Sequence, residues 1–414
     1  MLSESSISET IKFLPSMSIE RGKMVALNAR KIKSFVSMFV LNLKTAIYFL
    51  LAPLILITAG VLFFIYILTF LVFYPFIRYI QNFRHSPSHN ADEKISVTTK
   101  DGLKLIIHVY IPKNEASSIP VLFQHGIAVN RRSIDLDEHL SLAVYLKNNG
   151  YHVYVPDLRG KGESEKKPDM NYSFDDLVRF DAPALITGTL KHAKQKKLIW
   201  IGHSLGGMMG YIVSSDKMLS KKIAGMASLA GPGKADPERT PFLAAVFERY
   251  SLLRHINIRF AAELMSPFAG RFDFTPERYI YSRKNLSRKT VQMLWLFAVE
   301  NSSSLLFAQL HSWIQSGKSL SMNKKINYDE SFSRIKCPAL FIAGGKDSIA
   351  PADSILHACS AVKSRNKRFV LASIREGFSS DYCHMGLVVG DRARLEIFPV
   401  VLDWLKETVN KRIK

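Results

Sequence analysis

Cysteine is scarce in this chain of 414 residues, which has only Cys337, Cys359 and Cys383. Three thiols make no disulfide framework. Without C-x-x-C or paired histidine spacing they make no structural zinc site either. They read as reduced, buried thiols. Acid is also in short supply: 35 Asp and Glu against 56 Lys and Arg leave a formal charge of +21. Such a surplus suits nucleic acid or an anionic membrane surface. No zinc finger, RNP-like aromatic stretch or basic zipper is present, so nucleic acid is not an expected partner. The sequence holds no G-x-G-x-x-G or Walker pattern, no internal repeat and no low-complexity tract. Charge is missing altogether from Ala46 to Ile77.

That uncharged run is longer than the roughly 20 apolar residues a bilayer span requires. It lies too far from the start, and is too long, for a cleaved signal peptide. It also far exceeds the length of a buried core helix. Tyr48, Tyr66, Tyr74 and Tyr79 lie near its ends and middle, and tyrosine favours the membrane interface. Residues 46–78 are therefore expected to form a membrane anchor, as one long span or, broken at Pro53, Gly60 or Pro75, as a tight hairpin. Basic residues flank the run on both sides (Arg30, Lys31, Lys33 and Lys44 before, Arg78, Arg84 and Lys94 after). The side of the membrane is thus left open. Residues 1–45 read as a basic tail and 79–93 as a polar linker.

Beyond the linker the pattern is that of an α/β domain. Two β-rich runs, 94–99 and 103–111, are joined by the turn signal Asp101-Gly102. Strand and helix signals then alternate. Strands are predicted at Pro120–Phe123, Tyr151–Val155, Leu198–Ile201, Ile223–Leu229, Ala339–Ala343 and Phe369–Ile374. A helix of about 12 residues is predicted to end at Asn149-Gly150. Ser173 and Asp176 are spaced as a capping box, and a last helix is expected from about Ala393 to Lys406. This alternation predicts a mostly parallel sheet covered on both faces. Residues 232–336 break the rhythm with helical, aromatic-rich sequence, including Trp295, Phe297, Phe307 and Trp313, and read as a helical cap. The core is expected in two parts, 94–231 and 337–414.

Chemistry concentrates at three positions. Gly202-His203-Ser204-Leu205-Gly206 follows a predicted strand and precedes a predicted helix. Glycines on both sides of a sharp strand-to-helix turn let the backbones approach and expose the serine hydroxyl. A serine hydroxyl needs a base, and the base an orienting acid. Asp347 directly follows the strand Ala339–Ala343, and His384 follows the last strand run, in the chain order Ser, Asp, His. The loop Asp157–Ser164, although glycine-spaced, completes no phosphate-binding pattern and reads as a turn.

Together, His125-Gly126, the Asp157–Ser164 loop, the serine turn, Asp347 and His384 resemble the α/β-hydrolase superfamily over residues 94–409. Within it the chain looks most like capped lipases and esterases related to acid lipases. The resemblance implies the α/β-hydrolase fold with an inserted cap. It implies Ser204 as nucleophile, His384 as base and Asp347 as orienting acid, with Gly202, His203 and Gly206 forming the nucleophile elbow. The backbone N–H groups of Ile127 and Leu205 would make the oxyanion hole. It further implies hydrolysis of an ester through an acyl-enzyme, with no metal and no organic cofactor. Cys383 departs from the pattern, since relatives often carry glycine there. The expectation is a membrane-localised lipase or esterase acting on a lipid or other lipophilic ester. Acyl transfer by the same triad and a catalytically silent interaction protein stand as alternatives.

Overall fold

The computed structural model describes residues 4–85, 87, 91–167, 171–252, 257–271 and 279–413. The chain divides into two units, the first ending at Tyr79 and the second beginning at Ile80.

A single helix, α1 (Glu4–His85), contains the whole apolar run. Pro53, Gly60 and Pro75 lie within it, so the tight hairpin is not formed. Isolated proline and glycine are tolerated where a helix satisfies its remaining backbone groups internally. The expected linker at 79–93 is shorter than predicted, because α1 continues to His85 and the next strand starts at Glu93. Along Leu51–Gln81, the segment long and apolar enough to cross a membrane, large apolar side chains stand exposed: Leu56 by 71% and Val72 by 72%. A core helix of a water-soluble domain would bury such a face.

The second unit is built on one eight-stranded sheet in the order β1-β2-β4-β3-β5-β6-β7-β8. Its strands are β1 (Glu93–Thr98), β2 (Lys104–Tyr110), β3 (Ser117–Gln124), β4 (Tyr151–Pro156), β5 (Leu198–His203), β6 (Ile223–Leu229), β7 (Ala339–Gly344) and β8 (Lys367–Ala372). β1 and β2 form an antiparallel edge, turned at Gly102 with φ +87°, and β2 pairs antiparallel with β4. Every other pairing is parallel. All residues of β5, β6 and β7 are buried, as expected for strands covered by helices on both faces.

Helices α2 (Leu142–Asn148), α3 (Ala182–His192), α4 (Leu205–Ser215), α9 (Ala352–Ala361) and α10 (Phe398–Ile413) belong to this core. α2 is shorter than the 12 residues expected: Ser141, as N-cap, accepts the N–H of Val144 and starts the helix late. The last helix is interrupted at Ile397 and then runs on to Ile413. The capping box of Ser173 and Asp176 is present. The Asp157–Ser164 loop is a self-bonded turn. Asp157 accepts the backbone N–H groups of Arg131 at 2.9 Å and Glu163 at 3.0 Å. Gly162 has φ +48°, and a Cβ there would run into the Asp157 carboxylate.

Between β6 and β7 the chain makes a cap from α5 (Pro241–Leu252), α6 (Ile258–Met265), α7 (Arg288–Met293) and α8 (Ser304–Ser316). α5 and α8 are joined by rings: Phe307 lies 5.3 Å from Phe247 and 5.2 Å from Tyr250 between centroids.

Candidate active site

Ser204 sits between β5 and α4 with φ +54° and ψ −119°, a conformation that costs about 1–3 kcal/mol in a non-glycine residue and persists only when the surroundings impose it. Here glycine on each side leaves room for it. A Cβ on Gly202 would overlap the backbone of Gly206, and one on Gly206 would overlap the Gln124 carbonyl of β3. The hydroxyl is thereby held at the carboxyl edge of the sheet, at the start of a helix whose first N–H groups are unpaired and carry partial positive charge.

Asp347 and His384 meet although they are 37 residues apart. His384 Nδ1 lies 2.8 Å from Asp347 Oδ2. The other carboxylate oxygen accepts the N–H groups of Ile349 and Ala350, each at 2.9 Å. With Nδ1 engaged, Nε2 is the nitrogen left for proton transfer. Ser204 and His384 are both buried, and both form part of the wall of one cavity of about 770 Å3.

The turn after β3 lies against Ser204, since a Cβ on Gly126 would stand 3.1 Å from Ser204 Cβ and 3.6 Å from its Oγ. Among the described residues the N–H of Ile127 has no backbone acceptor. Leu205 opens α4, where the first N–H groups have no helical partner. His125 is a turn residue. Its Nδ1 meets the Gly126 carbonyl at 2.9 Å, its Nε2 accepts the N–H of Leu158, and burial holds its pKa below the ordinary value. His203 packs on the His384 imidazole with ring centroids 4.8 Å apart, and its Nε2 lies 3.2 Å from the His384 carbonyl. Burial, reinforced by His384, pushes its pKa well down, so it is a neutral packing partner. Burial also pushes the Cys383 thiol up to about 12. The thiol stays protonated and its sulfur accepts the N–H of Ser282 at 3.2 Å.

Two groups of residues carry no sequence signal, and both belong to the cap. Asn285 accepts the N–H of Cys383 at 2.8 Å and donates to Ser380 Oγ at 2.6 Å, while Met385 donates its N–H to the Ile280 carbonyl at 3.2 Å. The histidine loop is thus held on both sides by cap residues 280–285. At the other end, Val299 pairs antiparallel with Val129, Glu300 donates to the Ala128 carbonyl and Asn130 to that of Ala298. The buried Glu300 carboxylate receives Asn130 Nδ2 at 3.0 Å and the N–H of Gly162 at 3.2 Å. The cap is therefore hydrogen-bonded both to the loop that carries His384 and to the loop that follows Ile127.

Trp295, Phe307 and Trp313 line the cavity, together with Phe247, Tyr250 and other mainly apolar side chains. Phe297 does not. It packs against the core, and its carbonyl accepts Asn130 Nδ2 at 2.8 Å. It lies in the π-helical stretch Leu294–Ala298, two residues from Trp295, and residues two apart point to opposite sides of a helix.

A mostly parallel sheet with an antiparallel edge, a serine elbow after its fifth strand and an Asp–His pair after its last two strands has the layout of an α/β hydrolase. The family model described as alpha/beta hydrolase fold matches residues 119–388, and the chain belongs to that family. Among curated proteins it is similar to lipase member J of Homo sapiens, 28% identical over 204 residues, which are 45% of this chain and 52% of that protein. It is also similar to gastric triacylglycerol lipase of Rattus norvegicus, 34% identical over 155 residues, 33% of this chain and 39% of that protein. The chain thus spans about half the length of these relatives, or less. Among solved structures it shares the fold of a thermophilic esterase from Thermogutta terrifontis, with TM-score 0.52 and 19% identity over 77% of this chain and 99% of that one. A membrane phospholipase A described as a bacterial virulence factor matches with TM-score 0.50 and 15% identity over 86% of this chain and 97% of that one.

Proposed function

We propose that the protein is a membrane-anchored serine hydrolase that cleaves carboxylic esters of lipophilic acyl compounds. Ser204 Oγ attacks the acyl carbonyl while His384 takes its proton, and Asp347 holds the imidazole in the tautomer that accepts at Nε2. The N–H groups of Ile127 and Leu205 receive the developing oxyanion. Collapse of the tetrahedral intermediate returns the proton to the leaving alcohol and leaves an acyl-enzyme. Water, deprotonated by His384, then releases the acid.

The observation that carries this reading is the cavity of about 770 Å3 with Ser204 and His384 in its wall and apolar side chains over most of the rest. Its size falls within the range of about 300–1,000 Å3 usual for ligand pockets. The lining suits an acyl chain and excludes water from the acyl-enzyme until the alcohol has left. The names of the curated relatives, which are lipases, point the same way. The anchor rests on the exposed apolar length of α1.

The test uses the full-length protein in detergent, a fluorophosphonate probe and a series of acyl esters of increasing chain length. Labelling and turnover are expected in the parent and absent from Ser204→Ala, with longer chains preferred. Undiminished labelling of Ser204→Ala would remove the assignment, and turnover confined to short, polar acyl groups would remove the lipophilic substrate.

A further inference from the structure

A second cleft of the catalytic unit shares no residue with the catalytic cavity. Its volume is about 270 Å3, and its walls include Ile80, Gln81, Ser266, Arg271, Arg288 and Leu296. The two arginines are brought to it by a close approach at Gly270. This residue has φ +68°, and a Cβ there would stand 3.3 Å from Arg288 Cα and 3.4 Å from its Cγ. The floor is held by hydrogen bonds. Gln81 Nε2 donates to Ser266 Oγ at 3.2 Å, and that hydroxyl donates to the Glu263 carbonyl at 2.8 Å. Ser266 is 1% exposed, whereas both arginine side chains reach solvent. Among the described residues neither guanidinium has a carboxylate partner.

Two arginines in the wall of one cleft, with no carboxylate partner among the described residues, suit a phosphate, whose oxygens take paired N–H donors. Among the described residues lining the cleft the only charged side chains are the two arginines, which favours an anionic headgroup over an ammonium one. Covalent connectivity supplies the source of the phosphate. Gln81 follows Ile77, the last residue of the apolar run, by four residues. At 3.8 Å per residue it cannot lie more than about 15 Å from the end of that run, within reach of the headgroup layer of the bilayer. We infer that the Arg271–Arg288 cleft binds the phosphate of an anionic membrane phospholipid, separately from the ester that Ser204 attacks. The inference rests on the anchored reading of the protein.

The test is native mass spectrometry of the full-length protein released from bilayers that mix phosphatidylglycerol and phosphatidylcholine. The parent is expected to retain phosphatidylglycerol in preference. Each basic residue at an anionic surface is worth about fivefold in affinity, so Arg271→Gln with Arg288→Gln is expected to lower retention about 25-fold. Probe labelling of Ser204 should be unchanged, which controls for folding. Equal retention of the two lipids, or unchanged retention by the double variant, overturns the inference. A second arm follows amide exchange over residues 266–271 and 288–293 in detergent with inorganic phosphate. Arginine-dependent protection by phosphate with no retention of phosphatidylglycerol would make the ligand a soluble phosphate compound and overturn the lipid assignment. Loss of the protein from carbonate-washed bilayers would overturn the anchor reading instead. The phosphate arm would then decide the cleft alone, and absence of arginine-dependent protection would sink it.

Discussion

The side-chain carbonyl of Asn285 accepts the backbone N–H of Cys383 at 2.8 Å, one residue before His384. A cap residue is therefore bonded to the loop that carries the proposed catalytic base, and substrate enclosure and base placement share one set of contacts. Asn285→Ala leaves a buried N–H unpaired, at a cost of about 1–3 kcal/mol, and frees the histidine loop on one side. The expected result is a fall in kcat of about tenfold or more with KM little changed, because misplacing a catalytic group acts on the chemical step. Asn285→Asp, which keeps the accepting oxygen, should recover much of that loss. Steady-state kinetics on a soluble short-chain ester, with thermal melts alongside, measure this. An unchanged kcat in a folded Asn285→Ala would show that the loop holds itself.

Gly126 borders Ser204, the proposed nucleophile, and its missing side chain is expected to matter. The methyl group of Gly126→Ala would stand 3.1 Å from Ser204 Cβ, so the serine or the following turn must shift by a few tenths of an ångström. Such a shift separates the hydroxyl from the N–H of Ile127. Fluorophosphonate labelling should slow by about 100-fold while the melting temperature moves little.

Asp347→Asn is expected to preserve the fold and lose about 10^3–10^4-fold in kcat, because an amide stabilises neither the required tautomer nor the imidazolium. The measurement is kcat for the purified variant. A loss of less than tenfold would mean that His384 is oriented by other contacts.

Phe307 and Phe297 give a paired test of the cavity, since only Phe307 lines it. Phe307→Ala should change the ratio of kcat/KM for long and short acyl esters, and Phe297→Ala should leave that ratio at the parent value. Both changes can cost about 3–5 kcal/mol of stability, so the comparison uses variants shown by melting to be folded. Equal ratios in both would place the acyl chain elsewhere.

Lys161 predicts a pH dependence of stability. Burial lowers its pKa to about 7 in the folded protein, against about 10.4 in an unfolded chain. Between those values the unfolded state holds a proton that the folded state does not, so stability rises as pH increases from about 7 towards 10. Below pH 7 both states are protonated and the full cost of the buried charge is present. Lys161→Met should flatten the rise in melting temperature across that window. A parent and variant with parallel profiles would show that the Lys161 amine is not desolvated in the folded protein.

The sequence by itself determined the elements and the chemistry that depends on local order. Alternating strand and helix signals, the glycine spacing around Ser204 and the chain order of Ser204, Asp347 and His384 were all legible, because each follows from backbone sterics or from the fixed sequence of strand ends along one sheet edge. The length of the uncharged run was legible for the same reason, since a span is a property of consecutive residues. The tertiary structure alone decided which distant residues support that site. Asn285 and Glu300 look like ordinary polar residues of a helical cap, and nothing within several positions of either signals a role. Their partners, Cys383 and Asn130, lie 98 and 170 residues away. Which of the cap aromatics reach the cavity was not legible either: Trp295 lines it and Phe297, two residues on, does not, as residues two apart lie on opposite sides of a helix. The pairing of Arg271 with Arg288 likewise appears only where the left-handed turn at Gly270 lets one backbone lie against another. Local sequence sets where backbone can turn and which residues are apolar. Which buried hydrogen bonds are finally satisfied, and by whom, is settled only when elements far apart in the chain pack together.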